Sequence, residues 1–297
     1  MGVLLIFLAC IAWSLDTLIR YPLLSSSFTS IDIVFYEHLF LGILFVPTFL
    51  GLIKTKQLFK KENLTSFIVI GIFGSAISTL SFTKAFSLIN PSIVILLQKF
   101  QPVIAITLSY FILGEKVDKK FIFWAFVCVI GGFIISYKQI ASGMDFKSLN
   151  LSGYDRNSIL GLFFSALAVI GWGSATVFGK KLSLNGVTVP QVMSGRFIFG
   201  LLGMLPFVPF LTSNSIQSDF ISKIILLVLL SGVLGIFFYY NGLKRVPAKV
   251  ATLAELFFPF CAVIINWIFL DTSLDILQIL GGVILIFGST VIQLNRY

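Results

Sequence analysis

Apolar residues run along this chain in stretches long enough to cross a bilayer, and the polar residues gather in short bunches between them. A helix needs about 20 residues to span the hydrocarbon core. By that measure the pattern predicts ten spanning helices, at residues 3–20, 31–53, 64–88, 91–113, 119–137, 158–179, 188–211, 221–243, 248–270 and 274–293. The runs are continuously apolar, without the alternation of a membrane β-strand, so the expected fold class is an all-α membrane protein with ten transmembrane helices.

Composition supports the setting. With 58% hydrophobic and 11% charged residues among 297, and a mean hydropathy of +1.03, the chain is too apolar for a soluble domain. The first run is read as a helix that stays, because no Lys or Arg precedes it and no small-residue cleavage site follows before Asp16 and Arg20. Cys10, Cys128 and Cys261 fall inside predicted helices without metal-like spacing and are expected to be packing residues.

Charge changes the picture by giving an orientation. Starting the chain in the cytoplasm puts Lys54, Lys56, Lys60, Lys61, Lys116, Lys119, Lys120, Lys180, Lys181, Lys244, Arg245, Lys249 and Arg296 inside, and only Arg20, Lys138, Lys147, Arg156 and Lys223 outside. Lys and Arg in short loops mark the cytoplasmic side, so both termini are expected there. The net charge of +9 is mostly this topology signal. Split among short loops, it forms no basic face for nucleic acid.

The second half of the chain repeats the first. LACIAWSLDTLIRYPL (8–23) aligns with LAVIGWGSATVFGKKL (167–182), pairing Trp13 with Trp172 and Thr17 with Thr176 at an offset of 159. Gly42 pairs with Gly200, Pro91 with Pro247, Glu115 with Asp271 and Gly132 with Gly288 at offsets of 158 and then 156. Five helices per copy is an odd number, so the second copy enters the membrane from the opposite side. The loops agree: KTKQLFKK matches TSNSIQSD, and GEKVDKK matches LDTSLD. The expected organisation is two inverted five-helix repeats, 1–137 and 158–297, joined by a linker over 138–157.

Ten helices as five plus five, a Trp motif opening each repeat, QKFQP followed by LGE around the fourth helix and AELFFPF in the ninth resemble the drug/metabolite transporter superfamily, in its EamA-type branch. The resemblance covers nearly the whole chain. It implies solute transport across the bacterial cytoplasmic membrane, with substrates that differ widely among members. Such proteins often carry Arg in the second helix; this chain has His38 there and keeps the matching Arg196 in the seventh.

Asp16, Glu37, His38, Lys84, Lys99, Arg196 and Glu255 fall within the predicted helices. Charges at such depth are costly and usually face a bundle interior or a wet cavity. Lys99 lies eight residues after Pro91 and Glu255 eight after Pro247, so repeat-related positions carry opposite charges. The expected substrate site is a central cavity flanked by Lys99 and Glu255, with Glu37, His38, Arg196, Trp13 and Trp172 around it. The competing expectation is an internal salt bridge from Lys99 to Glu37 or Glu255 that only fixes packing. Asp16 and Arg20 fit an intrahelical pair near the outer surface. Lys84 fits either snorkelling or a cavity role. Tyr36, Tyr239 and Tyr240 fit cavity walls or packing.

Balanced charge suggests a zwitterionic metabolite such as an amino acid, its carboxylate held by Lys99 or Arg196 and its amine by Glu255 or Glu37. Protons are the expected coupling ion, through Glu37, His38, Asp16 and Glu255. No cofactor or metal is expected. The sequence carries no Walker motif, catalytic triad or metal motif, which argues against an ATPase or another enzyme. An exporter of aromatic or quaternary cations and a passive channel are the alternatives.

Overall fold

A computed structural model describes residues 1–24, 28–89, 94, 97–135, 137, 156–212, 218–270 and 275–294, and these are all-helical, with no strand among them. Six helices are long and apolar enough to cross a membrane: α1 (Gly2–Leu24), α2 (Ser30–Lys54), α3 (Lys61–Phe86), α6 (Arg156–Leu184), α7 (Val189–Phe210) and α8 (Ser218–Leu243). The shorter helices are α4 (Gln101–Leu108), α5 (Lys119–Ile135), α9 (Ala248–Glu255), α10 (Phe258–Leu270) and α11 (Ile276–Leu294). Of the expected linker, residues 138–155 lie outside the described ones, as do Pro91 and Asp271; Arg156 and Asn157 open α6.

The six long helices match six of the ten expected spans within a few residues. Two of them begin at reciprocal caps. Thr29 N–H donates to Asp32 Oδ2 at 2.7 Å and Asp32 N–H returns to Thr29 Oγ1 at 3.3 Å, starting α2. At the start of α7, Thr188 N–H donates to Gln191 Oε1 at 3.1 Å. Such caps satisfy end donors that the helix cannot, each contributing about 1 kcal/mol. α6 outlasts its expected end at residue 179 because Lys180 does not reach for water. Its amine donates to the carbonyls of Leu243 (3.0 Å) and Lys244 (3.2 Å) at the end of α8.

The expected span 248–270 is interrupted. α9 ends at Glu255 and α10 starts at Phe258, because Pro259 has no N–H to offer and its ring excludes the carbonyl four residues back. The freed backbone finds side chains instead: Ser14 Oγ donates to Phe258 O at 3.1 Å, and Cys10 Sγ lies 3.8 Å from Glu255 O. Pro102 acts similarly, so that Gln98–Phe100 is a tight 3-10 turn before α4. Irregular backbone at membrane depth is tolerated only where protein or a cavity surrounds it.

The packing pairs helices from the two halves. α2 lies against α7, α5 against α11, α1 against α8 and α10, and α6 against α3 and α4. Small residues make the approach close. A Cβ added at Gly281 would sit 2.7 Å from Gly131 O, and one at Gly131 would sit 2.8 Å from Gly281 O, so α5 and α11 touch backbone to backbone. Cys10, Cys128 and Cys261 are buried free thiols, as expected of packing residues.

Candidate substrate cavity

A cavity of about 220 Å³ opens among α1, α2, α3, α6, α7, α8 and the two proline-broken segments. All seven residues expected to form the site line it: Trp13, Glu37, His38, Lys99, Trp172, Arg196 and Glu255. Local backbone brings them there. Lys99 sits in the 3-10 turn before Pro102, and Glu255 is the last residue before the break that Pro259 imposes. Wide π-helical turns over Val69–Ile77 in α3 and Val228–Gly235 in α8 bring Ser75 and Ser231 to the same space.

Each ionisable group has a distinct environment. Glu255 Oε1 accepts from Tyr239 Oη at 2.8 Å and from Thr176 Oγ1 at 3.3 Å; Oε2 accepts from Gln101 Nε2 at 2.6 Å. The carboxylate is thus held by neutral donors. Lys99 is 2% exposed. Neither of its expected salt bridges forms: among the described residues it has no ion pair or hydrogen bond. Its chain rests by Gly132, where a Cβ would lie 3.6 Å from Lys99 Cδ.

Glu37 pairs with Arg20. Arg20 Nε and Nη2 hold Asp16 through both oxygens at 2.7 and 2.8 Å, and Nη2 also donates to Glu37 Oε2 at 2.9 Å. Asp16 and Arg20 form the expected intrahelical pair, but it is buried and extends to Glu37. Both are buried, line the cavity, and tie α1 to α2. Spacing alone could not reveal this, because i and i+4 charges on a helix look the same whether they face water or a third partner.

The repeat-related pair His38 and Arg196 makes unlike contacts. His38 Nδ1 lies 2.8 Å from Val34 O and Nε2 lies 3.0 Å from Ser75 Oγ. Arg196 Nη2 donates to Gly74 O at 2.8 Å and Nη1 to Tyr240 Oη at 3.2 Å, joining α7 to α3 and α8. The aromatic wall is two pairs, Trp13 with Tyr239 (centroids 5.4 Å apart) and Trp172 with Phe82 (5.0 Å). Trp13 is anchored by Nε1 donating to Ser231 O at 3.3 Å.

Three expectations fall away from the cavity. Lys84 is exposed. Tyr36 packs edge-on against Phe220 outside the cavity lining, and Tyr240 serves Arg196. Sequence reasoning missed Gln101, Thr176 and Thr252. Gln101 lies within QKFQP, and Thr176 matches Thr17 across the repeat, so the signal for these two was present in motifs noted for other residues. The described residues hold no His/Cys/Asp/Glu cluster suited to a metal.

Comparison with known proteins fits this geometry. The model of the EamA-like transporter family matches residues 1–137 and 159–294. The chain is 30% identical to the riboflavin transporter ImpX of Fusobacterium nucleatum subsp. nucleatum, over 99% of this chain and 97% of that protein. It is 24% identical to the uncharacterized transporter YoaV of Bacillus subtilis (strain 168), covering 84% of this chain and 83% of the relative. A crystal structure of a protein only 16% identical superimposes with a TM-score of 0.74, over 99% of this chain and 96% of its own, and shares the fold. With the family model covering both halves, long apolar helices and a cavity lined by aromatic and charged residues between them, the chain belongs to the EamA-like transporter family: it is a multi-pass membrane transporter and not an enzyme.

Proposed function

We propose that this chain is a secondary transporter that moves a planar, polar heteroaromatic solute of the riboflavin type across the bacterial cytoplasmic membrane by alternating access. The observation that carries the reading is the pair Trp13 and Trp172. They come from matched positions in the two halves, each is backed by a second aromatic ring, and both line one cavity. Aromatic side chains in the lining suit a flat ring. Similarity to a riboflavin transporter over nearly the full length supports the same class.

Alternating access follows from ten helices arranged as two inverted five-helix repeats, 1–137 and 158–297, joined by 138–157. Three features support that arrangement: the π-helical turns of α3 and α8 fall at matched positions, the caps at Thr29 and Thr188 do too, and the packing keeps its pattern when the halves are exchanged. Both termini lie in the cytoplasm on this reading, and protons drive transport through Glu255 or Glu37. Lys99, Glu255, Glu37, His38, Arg196, Trp13 and Trp172 form the substrate site.

A zwitterionic metabolite is the second reading, favoured by the Lys99 amine and the Glu255 carboxylate facing one cavity. Uptake and counterflow in proteoliposomes separate the two. Saturable riboflavin uptake, accelerated by riboflavin inside, supports the first. Counterflow of amino acids without flavin supports the second, and uptake without counterflow points to a channel.

A further inference from the structure

Among the described residues, three buried side-chain nitrogen or oxygen atoms lack any hydrogen-bond partner: Arg20 Nη1, Arg196 Nε and Thr252 Oγ1. All three residues line the one cavity, and so does Lys99, whose amine is also unpaired among the described residues. The four come from four parts of the fold: α1, the turn before α4, α7 and α9. They are strongly buried, Thr252 to 1% exposure and Arg20 and Arg196 to 8%. Buried donors without acceptors are rare in folded proteins because desolvation is not returned. Among the described residues they cluster around one cavity, which is the pattern expected if a solute supplies their acceptors.

Most carboxylate oxygens of the same cavity already accept hydrogen bonds from the protein. Both oxygens of Asp16 take Arg20, both of Glu255 take neutral donors of the protein, and Glu37 takes Arg20. The protein thus spends its carboxylates on itself and leaves cationic and hydroxyl donors free. A solute offering only N–H or N⁺ groups would compete with protein donors for the oxygens of Asp16 and Glu255, and it would leave the Arg20, Arg196 and Lys99 donors unsatisfied.

We propose that the cavity recognises its solute as a hydrogen-bond acceptor, through Arg20, Lys99, Arg196 and Thr252, so that it selects acceptor-rich uncharged or anionic solutes and rejects amines and quaternary cations. For a flavin, an assignment that rests on the transport reading above, these residues read the edge of the ring that carries its two carbonyl oxygens. The aromatic pairs then hold its faces. Thr252 and Lys99 are specificity residues in this scheme, because each lines the cavity and neither has a hydrogen-bond partner among the described residues.

The test uses purified full-length protein and four probes: riboflavin, N3-methylriboflavin, a dicarboxylate and a quaternary ammonium. Thr252→Val removes a hydroxyl and keeps the shape; Lys99→Met removes the amine and keeps the stem. Each substitution is expected to leave the unliganded melting temperature unchanged or raised, and to weaken riboflavin binding by roughly tenfold, the loss of one good hydrogen bond. N3-methylriboflavin, which loses a donor and keeps the carbonyl acceptors, is expected to bind the wild type within about threefold of riboflavin. If riboflavin does not bind but the dicarboxylate does, and Thr252→Val weakens it, the flavin reading fails and the donor inference stands. Unchanged affinity in both variants overturns the inference. So does a wild type that binds the quaternary ammonium, or none of the acceptor-bearing probes.

Discussion

Glu115 caps a helix that begins 133 residues later in the chain: its two carboxylate oxygens accept the backbone N–H groups of Ala248 (2.7 Å) and Lys249 (3.0 Å) at the start of α9. The contact crosses between the halves, at the end of the molecule where basic residues gather. Lys249 completes it, its amine donating to Lys116 O and lying 4.4 Å above the Phe121 ring. Gly114, at φ +67°, turns the chain so that Glu115 can reach. On the inverted-repeat reading this is a closed cytoplasmic end, which must open once per cycle.

Removing that carboxylate should loosen the closed end. Glu115→Ala is expected to cost about 1–3 kcal/mol, the scale of lost charge-assisted hydrogen bonds at a helix start, seen as a lower melting temperature. A cysteine placed at Ala248 should react faster with thiol reagents in inverted vesicles when Glu115 is alanine. Equal rates would mean that the cap does not hold the end shut.

The Arg20 cluster predicts a larger effect. Arg20→Met leaves Asp16 and Glu37 as two buried carboxylates without their shared cation, and breaking a buried ion pair typically costs about 3–5 kcal/mol. Adding Asp16→Asn and Glu37→Gln removes both orphaned charges and should recover most of the loss in a denaturation series. Arg20→Lys should recover little, because a single ammonium cannot reproduce the two-pronged hold on Asp16 and still reach Glu37.

Much of this arrangement was legible in the sequence, and the limits are physical. Long apolar runs predicted the helices because a bilayer leaves the backbone few alternatives. Buried charges predicted the cavity, and Lys99, Glu255, Glu37, His38 and Arg196 all line it, because a charge at membrane depth must face something polar. Partner choice was not legible. Glu37 meets Arg20 rather than Lys99 through helix rotation and depth, which depend on packing across the whole bundle. The break after Glu255 was foreshadowed by Pro259, yet a proline alone does not tell a kink from two separate helices. Thr252 escaped notice because a lone hydroxyl in an apolar helix is ordinary until its surroundings are known.

The seam between α5 and α11 depends on missing side chains. A methyl group at Gly281 would meet Gly131 O at 2.7 Å and Ile135 N at 2.8 Å, both backbone atoms that cannot swing away. Gly281→Ala is therefore expected to lower stability by about 1–3 kcal/mol, as overpacking does, while substrate affinity in the folded fraction stays unchanged. Gly51, with nothing near its Cβ position, is the control: Gly51→Ala should be neutral or slightly stabilising in the same melting assay.

Orientation is tested by labelling. The segment from Lys54 to Lys61 carries four lysines and follows α2, and on the charge asymmetry its expected side is the cytoplasm. Lys56→Cys should resist a membrane-impermeant maleimide in intact cells and react in inverted vesicles, the three native thiols being buried. Reaction in intact cells would reverse the topology.

Lys99 and Glu255 supply the sharpest separation of function from packing. Lys99 makes no ion pair among the described residues, so Lys99→Ala strands no partner and should leave the melting temperature unchanged or raised. Glu255 is different: alanine there would leave Tyr239, Thr176 and Gln101 without their acceptor and should lower stability by about 1–3 kcal/mol. Glu255→Gln retains the shape and one carbonyl acceptor, and should lie closer to the wild type. Transport should be lost in all three variants. A packing bridge between the two would give the opposite pattern, with each single alanine variant destabilised and the double variant rescued. The double-mutant cycle is expected to show no coupling in stability, and a coupling energy above about 1 kcal/mol, with substrate binding intact in the double variant, would move both residues from the transport site to the scaffold.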